Sequence, residues 1–431
     1  MRMKWVDGMI FHWMLMLLLF AAPSMLAQDE NKLVLSEIIQ EALQRNPDLQ
    51  AAEKRYQAAL AKIPQAGALP DPMLSLNVLN LPVKTFVFDQ EPMSGKQIAF
   101  TQKFPFPGKL GVKENIAREN AAVLEAQVSE LKNQLIRQVK IVFYELCLVD
   151  KSIETVDKNT RALEEFVRIT ETRYSVGKGL QQDVLRAQVE LSKMLDQRIK
   201  LRQKRETLEA RLNILLNREV GTPVPPSPKL SFIPFSTSLD SLQRLSEQHR
   251  PLLQAWQAVI RENEQKVRLA RKGYLPDFSL TLGYTQRDVL QNGAGGADFF
   301  TGKVNIQLPL YFWRKQRKQV EETRYMLSSF QQKYQQVRNE VFGSLDKSLE
   351  DVHQYARLIN LFQTGIIPQA MQSLQSAMAG YQTDKVDFLT LITNQINLFN
   401  FELDYYRVLS GYYKALADME AATGVELVTV P

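Results

Sequence analysis

The 431-residue sequence contains one cysteine, Cys147, and three histidines. A single cysteine forms no disulfide within the chain, and we interpret it as a small packed residue of a helical segment. Two of the histidines, His249 and His353, lie beyond the first 30 residues, and neither has a cysteine or histidine at the spacing of zinc ligands. We therefore expect no metal site and no cofactor.

Motifs of catalysis and of phosphate binding are also missing. We find no Ser/His/Asp or Cys/His arrangement, HExxH sequence or P-loop in a suitable context. The glycine-rich run at residues 291–296 is not followed by Lys-Ser/Thr, so we interpret it as a flexible surface loop. We expect no catalytic residue, and the chain is not predicted to be an enzyme.

Long apolar segments are absent beyond residue 27, where no run of about 18 apolar residues occurs. Before that point, Arg2 and Lys4 precede the apolar run of residues 14–22, and Ala27 is a small residue followed by a polar segment. This pattern predicts a signal peptide at residues 1–27. The rest of the chain is expected to be soluble or to cross a membrane as β-strands. The net charge of +6 would suit nucleic acid, but the export signal argues against such a partner.

The sequence repeats itself at a constant offset of 204 residues. Four pairs carry this offset: Pro47 and Pro251, Pro72 and Pro276, Pro105 and Pro309, Asp183 and Asp387. We predict a first structural repeat at residues 28–221 and a second at residues 222–431, which starts with a proline-rich connector. Each repeat is expected to contain a helix, two strands, a long helix and a further helix.

Four short segments alternate between apolar and polar residues, as β-strands with two different faces do. They are residues 74–78, 98–101, 278–285 and 304–308. A four-stranded sheet has two unpaired edges, which a lipid environment does not tolerate. Three chains would supply twelve strands, an even number suited to a closed outer-membrane barrel.

Two segments predict unusually long helices. Residues 110–174 contain no proline, and residues 315–378 are interrupted only by Gly343, Gly365 and Pro368. A helix of roughly 65 residues would extend about 100 Å, so the molecule must be elongated. The shorter helices carry apolar residues at the alternating spacing of three and four that is typical of coiled coils. These residues are Leu201, Leu208, Leu212 and Leu215 in one helix and Ile392, Ile396, Phe399, Leu403, Tyr406, Tyr413 and Ala417 in the other.

Over nearly the whole chain after the signal, these features resemble the TolC family of outer-membrane efflux factors. The sequence RYSVGKGLQQDVLRAQ at residues 173–188 is similar to the family's first periplasmic helix-turn-helix tip. Its counterpart in the second half is GYQTDKVDFL at residues 380–389, where we predict a turn three residues shorter. The sequences LPDPML at residues 69–74 and FPFPGKL at residues 104–110 resemble the heavy-metal branch, of the cobalt–zinc–cadmium and copper–silver type.

The resemblance implies a mixed α and β membrane protein. Its expected fold is a trimeric 12-stranded outer-membrane β-barrel, with four strands per chain, that continues into a long periplasmic α-helical coiled-coil barrel. The expected function is that of an outer-membrane channel in a tripartite efflux system, passively conducting heavy-metal ions. The expected partners are two further copies of the chain, outer-membrane lipid, a periplasmic adaptor (membrane fusion protein) and an inner-membrane pump of the resistance-nodulation-division type.

Three alternatives remain at this point. The first is an outer-membrane duct for drugs or for type I protein secretion. The second is a periplasmic coiled-coil adaptor, which the duplicated pairs of amphipathic strands argue against. The third is a surface adhesin with a coiled-coil stalk, which would not return the chain twice to an antiparallel tip.

The predicted tips supply candidate residues for adaptor docking. Val176 and Leu180 are apolar residues that flank a turn at Gly177, at a point where the chain is expected to be most exposed. Exposed apolar residues indicate a partner surface, and Thr383 and Lys385 belong to the corresponding turn of the second half. The alternative for the apolar pair is local packing within one hairpin.

The same tips supply three candidate residues for a periplasmic aperture. Asp183, Asp384 and Asp387 would place several carboxylates around a narrow opening in a trimer, where they would attract cations. For Asp183 and Asp387, capping of a helix N-terminus is an equally good explanation.

Overall fold

A computed structural model describes residues 32–428. The predicted signal peptide at residues 1–27 lies outside this range. Two helices, α1 (Leu35–Arg45) and α2 (Pro47–Gly67), lead into strands β1 (Met73–Leu79) and β2 (Gly95–Phe104). The long helix α3 (Lys109–Ser175) follows, and α4 (Gln181–Leu215) runs back beside it.

The same order of elements then recurs after residues 216–238, which form neither helix nor strand. The second set begins with α5 (Leu239–His249), α6 (Pro251–Lys272), β3 (Asp277–Gln286) and β4 (Phe299–Gln307). It continues with α7 (Gln316–Leu361), a π-helical turn (Phe362–Ile366), α8 (Ile367–Gln382) and α9 (Phe388–Thr423). The boundary between residues 221 and 222 as the division of two repeats stays a prediction.

Both predicted long helices are confirmed. Helix α3 has 67 residues, and the helical run Gln316–Gln382 is equally long. The π-helical turn lies just before Pro368, the second residue of α8. Because proline has no N–H, the usual bond to the carbonyl of Thr364 cannot form, and a wider turn accommodates that loss without ending the rod.

The four strands form one antiparallel sheet in the order β1-β2-β3-β4. All four predicted strands are present, although Leu308 lies just beyond the end of β4. The register aligns large apolar side chains on one face of the sheet, which we call the apolar face. Its members are Leu74, Leu76, Val78, Ile98, Phe100, Leu280, Leu282, Tyr284, Phe300, Val304 and Ile306.

The other face, called the polar face, carries small and hydrogen-bonding side chains. The Gln97 amide accepts from Asn77 at 3.1 Å and donates to Thr285 at 3.1 Å. The side chains of the apolar face are between 40% (Leu280) and 76% (Leu76) exposed. A single chain therefore leaves uncovered the face that a water-soluble sheet would bury. Among residues 32–428, no helix is long and apolar enough to cross a membrane.

The core lies between the helices. Helix α3 packs against α1, α2, α4, α6 and α9. The coiled-coil stripe predicted on α9 is a packing surface, with Phe399 and Tyr413 at 3% and 1% exposure. Ser410, which breaks the apolar pattern, is also buried, and its hydroxyl donates to the Tyr144 carbonyl at 2.9 Å. Ser410 can therefore be buried within the apolar stripe, because its hydroxyl has a hydrogen-bond partner there.

Candidate functional site at the paired helical turns

Two five-residue turns connect the antiparallel helices at one end of the molecule. Tip 1 (residues 176–180) joins α3 to α4, and tip 2 (residues 383–387) joins α8 to α9. The two turns use the same backbone hydrogen bonds. In tip 1 the Lys178 N–H donates to the Arg173 carbonyl at 2.8 Å, and in tip 2 the Lys385 N–H donates to the Gly380 carbonyl at 2.9 Å. The two tips therefore have one common geometry.

Each turn contains one residue in the left-handed conformation. In tip 1 it is Gly177, with φ of 74°, and in tip 2 it is Asp384, with φ of 57°. Glycine adopts this conformation at no steric cost, and aspartate is among the few other residues that tolerate it. In tip 2, Asp384 thus takes the position that Gly177 occupies in tip 1.

The prediction of a tip 2 turn three residues shorter than tip 1 was wrong. Gly177 and Asp384 are equivalent, and so are Leu180 and Asp387, which both precede the first residue of a helix. The sequence offset is therefore 207 residues here and not 204. The shift arises in residues 308–315, a longer connection from β4 to α7 than residues 105–108 provide between β2 and α3.

Arg173 joins the two tips of one chain. Its Nη1 donates to the Tyr381 carbonyl at 2.8 Å, and Nη2 forms an ion pair with the Asp384 carboxylate. The guanidinium also lies 4.7 Å from the centroid of the Tyr381 ring. The Arg173 side chain is only 19% exposed, whereas that of Asp384 is 69% exposed. One partly buried cation therefore holds the second turn against the first.

Arg173 and Tyr381 were not among the residues expected from the sequence, although both lie within the quoted tip motifs. Their contact joins positions 208 residues apart. Beneath the turns, Phe388 packs edge-on against Phe166 at 6.3 Å and lies 5.8 Å from the Tyr381 ring. This aromatic cluster holds Tyr381 where its carbonyl meets Arg173.

The three aspartates expected at the aperture have different environments. Asp387 caps α9, because its carboxylate accepts from the Thr390 N–H at 2.9 Å. Hydrogen bonding from Thr390 lowers the pKa of Asp387 below its ordinary value. Asp183 is not a cap, since α4 begins after Leu180 and Asp183 lies in its first turn. Asp384 pairs with Arg173, so its charge is partly compensated within the chain.

The predicted docking residues are all exposed. Val176 and Leu180 are 63% and 66% exposed, so local packing within the hairpin does not account for them. In tip 2 the Thr383 hydroxyl donates to the Ala379 carbonyl at 3.1 Å, and Lys385 is exposed beside it. A shallow cleft between the tips is bordered by Gly177, Leu180, Asp183, Asp384, Lys385 and Asp387. The fold thus gathers residues of both halves on one surface.

Within the part of the chain that the structure describes, no three His, Cys, Asp or Glu side chains are grouped so that they could hold a metal ion. The tips therefore offer apolar contact, hydrogen bonding and fixed charge.

The family model described as "Outer membrane efflux protein" matches residues 38–218 and 242–425 of this chain. A relative from Cupriavidus metallidurans, the cobalt-zinc-cadmium resistance protein CzcC, is 20% identical over 384 residues. That similarity covers 88% of this chain and 87% of the relative.

Two solved structures illustrate the similarity of fold. The outer membrane protein VceC of Vibrio cholerae superposes with a TM-score of 0.76 and 19% identity, over 91% of this chain and 97% of VceC. The structure of CusC, described in terms of folding and transmembrane channel formation, superposes with a TM-score of 0.75 and 18% identity, over 91% of this chain and 92% of CusC.

Proposed function

This chain belongs to the outer membrane efflux protein family, and from that premise we propose that it forms a homotrimeric duct for heavy-metal ions. It is an outer-membrane channel component of an efflux system, and its helical part lies in the periplasm. The trimer, the substrate and the identity of the partners are the parts of this statement that we propose.

The observation that carries the proposed trimer is the four-stranded sheet. Strands β1 and β4 are its outer strands, so each leaves one row of backbone groups without a strand partner. In lipid these groups must be paired, and joining β4 of one chain to β1 of the next pairs them. Three chains give twelve strands with the apolar face toward lipid and the polar face toward the lumen.

Conduction through such a duct requires no catalytic residue. We propose that substrates move passively through the lumen and that a partner supplies the energy. An inner-membrane pump of the resistance-nodulation-division type would do so, linked by a periplasmic adaptor that contacts tips 1 and 2.

Heavy-metal ions are proposed as the substrate because the relative CzcC carries that role in its name. The proline-rich sequences of this chain have an architectural role. Pro72 lies just before β1, and Pro105 and Pro107 lie between β2 and α3, where their missing N–H groups end the ladder. Gly108, with φ of 82°, then turns the chain into α3.

The substrate proposal is tested by deleting the gene and restoring it in trans. We expect the deletion strain to become more sensitive to cobalt, zinc, cadmium, copper or silver, and the restored gene to reverse this. Unchanged metal tolerance combined with new sensitivity to antibiotics or detergents would identify a drug duct. A protein retained in the cell only in the deletion strain would identify a secretion duct.

The docking proposal is tested at Val176 and Leu180. Changing each to Glu places a charge on an exposed apolar site, which we expect to abolish crosslinking to the adaptor while the trimer still assembles. Val83→Glu is the matched control, because Val83 is 81% exposed and lies in the loop between β1 and β2, at the opposite end of the sheet from the helices. Full adaptor crosslinking by both tip variants would show that the tips do not dock.

A further inference from the structure

The polar face of the sheet carries unbalanced positive charge. Within the four strands, the charged residues on this face are Lys103, Lys303 and Asp277. Asp277 is already compensated, because its carboxylate accepts from Lys109 Nζ at 2.8 Å and from the Phe106 N–H at 2.7 Å. The two lysines therefore set the sign of the charge on this face.

The two lysines lie at neighbouring levels of the sheet. Lys103 pairs with Ser279, and Lys303 pairs with Thr281, two residues further along β3. That step corresponds to about 7 Å along a strand. Both side chains are exposed, and neither ammonium group has an ion-pair or hydrogen-bond partner among residues 32–428. Their charges are thus available to act on solutes.

We propose that Lys103 and Lys303 form a ring of six ammonium groups in the lumen and make the outer-membrane section of the duct selective for anions. This inference rests on the trimeric closure proposed above, which directs the polar face inward. It concerns the preferred class of solute in that section, and not the attraction of cations at the periplasmic tips.

The size of the barrel decides how strongly the ring acts. Twelve strands spaced about 4.8 Å apart and tilted by about 40° give a backbone radius of about 12 Å. The Debye length is about 10 Å at 0.1 M salt and about 3 Å at 1 M. Six unit charges at about 12 Å would enrich a monovalent anion on the axis about threefold at 0.1 M and hardly at all at 1 M.

The ring has a consequence for metal transport. A divalent cation experiences twice the repulsion of a monovalent one, so free divalent ions are the solutes this section disfavours most. Metal bound in neutral or anionic complexes would pass without that barrier. Metal would therefore cross the outer-membrane section in neutral or anionic complexes, whereas the carboxylates at the tips would attract free metal cations.

The test measures reversal potentials of the purified full-length protein in planar bilayers under a KCl gradient. We compare the parent with the double variant Lys103→Gln/Lys303→Gln. The control is Lys96→Gln, which removes one lysine charge from β2, the strand that carries Lys103, but from the apolar face, where Lys96 lies 3.6 Å from Asp288. We expect the chloride-to-potassium permeability ratio to fall about threefold or more at 0.1 M in the double variant only.

Further variants keep the result interpretable if the double variant assembles poorly. Lys103→Arg/Lys303→Arg retains both charges and should keep the parent ratio, and Lys303→Gln alone should give part of the decrease. If the parent conducts but the glutamine variants keep its chloride-to-potassium permeability ratio, the lysine ring is wrong and the trimeric duct is unaffected. A parent that gives no conductance steps overturns the trimeric duct and this inference with it.

Discussion

Loosening the contact between tips 1 and 2 should widen the periplasmic aperture, and Arg173 and Asp384 allow the size of the effect to be worked out. The Arg173–Asp384 ion pair is well exposed on the Asp384 side, so it contributes about 0.2–1 kcal/mol. Arg173 also donates a charged hydrogen bond to the Tyr381 carbonyl, which adds about 1.5–3 kcal/mol. Its position over the Tyr381 ring adds about 0.5–1 kcal/mol.

Two variants separate these contributions. Asp384→Asn removes the ion pair but keeps a residue that tolerates φ of 57°, whereas Asp384→Ala would add a strain of about 1–2 kcal/mol. We expect Asp384→Asn to raise the population with separated tips by up to about fivefold. Arg173→Ala removes all three contacts and should raise it by about 30-fold or more, since 1.4 kcal/mol is a factor of ten.

Single-channel recording in planar bilayers measures this population as open time and conductance at fixed voltage. Arg173→Lys is the control, because it keeps the charge but loses the paired geometry of the guanidinium, and it should lie between the parent and Arg173→Ala. An Asp384→Asn effect equal to or larger than that of Arg173→Ala would refute the reasoning. So would parent-like openings in both variants.

Three further predictions concern the helical body. Lys140→Met should lower the free energy of unfolding by about 3–5 kcal/mol in denaturant titrations, because it removes the 2.7 Å partner of the buried Glu420 carboxylate; a change below 1 kcal/mol would be inconsistent with a buried ion pair. Gly424→Ala should destabilise by more than about 1 kcal/mol in the same assay, since φ is 80° and a Cβ would lie 2.6 Å from the His249 carbonyl. Burial raises the pKa of the Cys147 thiol to about 12, so the native protein should resist alkylation at pH 8 and react once unfolded. Because the native thiol keeps its proton where the unfolded one loses it, this group lowers stability as pH rises above its ordinary pKa of 9.0.

The elements of this fold were predictable because their signals are local. Alternation over five to eight residues marks the strands around Leu76 and Leu280, and the scarcity of proline and glycine marks α3 as one continuous helix. Pro368 was recognised as an interruption, but the sequence alone did not show that a π-helical turn would preserve the rod.

The positions of the two tips in the sequence were predictable, but the structural equivalence of their residues was not. The residues Val176 and Leu180 were expected to be exposed, and they are. The equivalence of Leu180 with Asp387 was missed, because an alignment at one constant offset cannot detect extra residues inserted between β4 and α7. The cap at Asp387 and its absence at Asp183 follow from that inserted length.

The sequence by itself determined the periodic elements and the apolar and polar sides of each strand, since these depend on neighbours a few residues apart. Only the tertiary structure decided which residues meet across the fold. Two examples are the register that places Lys103 and Lys303 on the same face, on either side of β3, and the contact of Arg173 with Tyr381. Such arrangements bring together residues about 200 positions apart in the sequence. Helix lengths, connections and packing determine them jointly, so no local pattern encodes them.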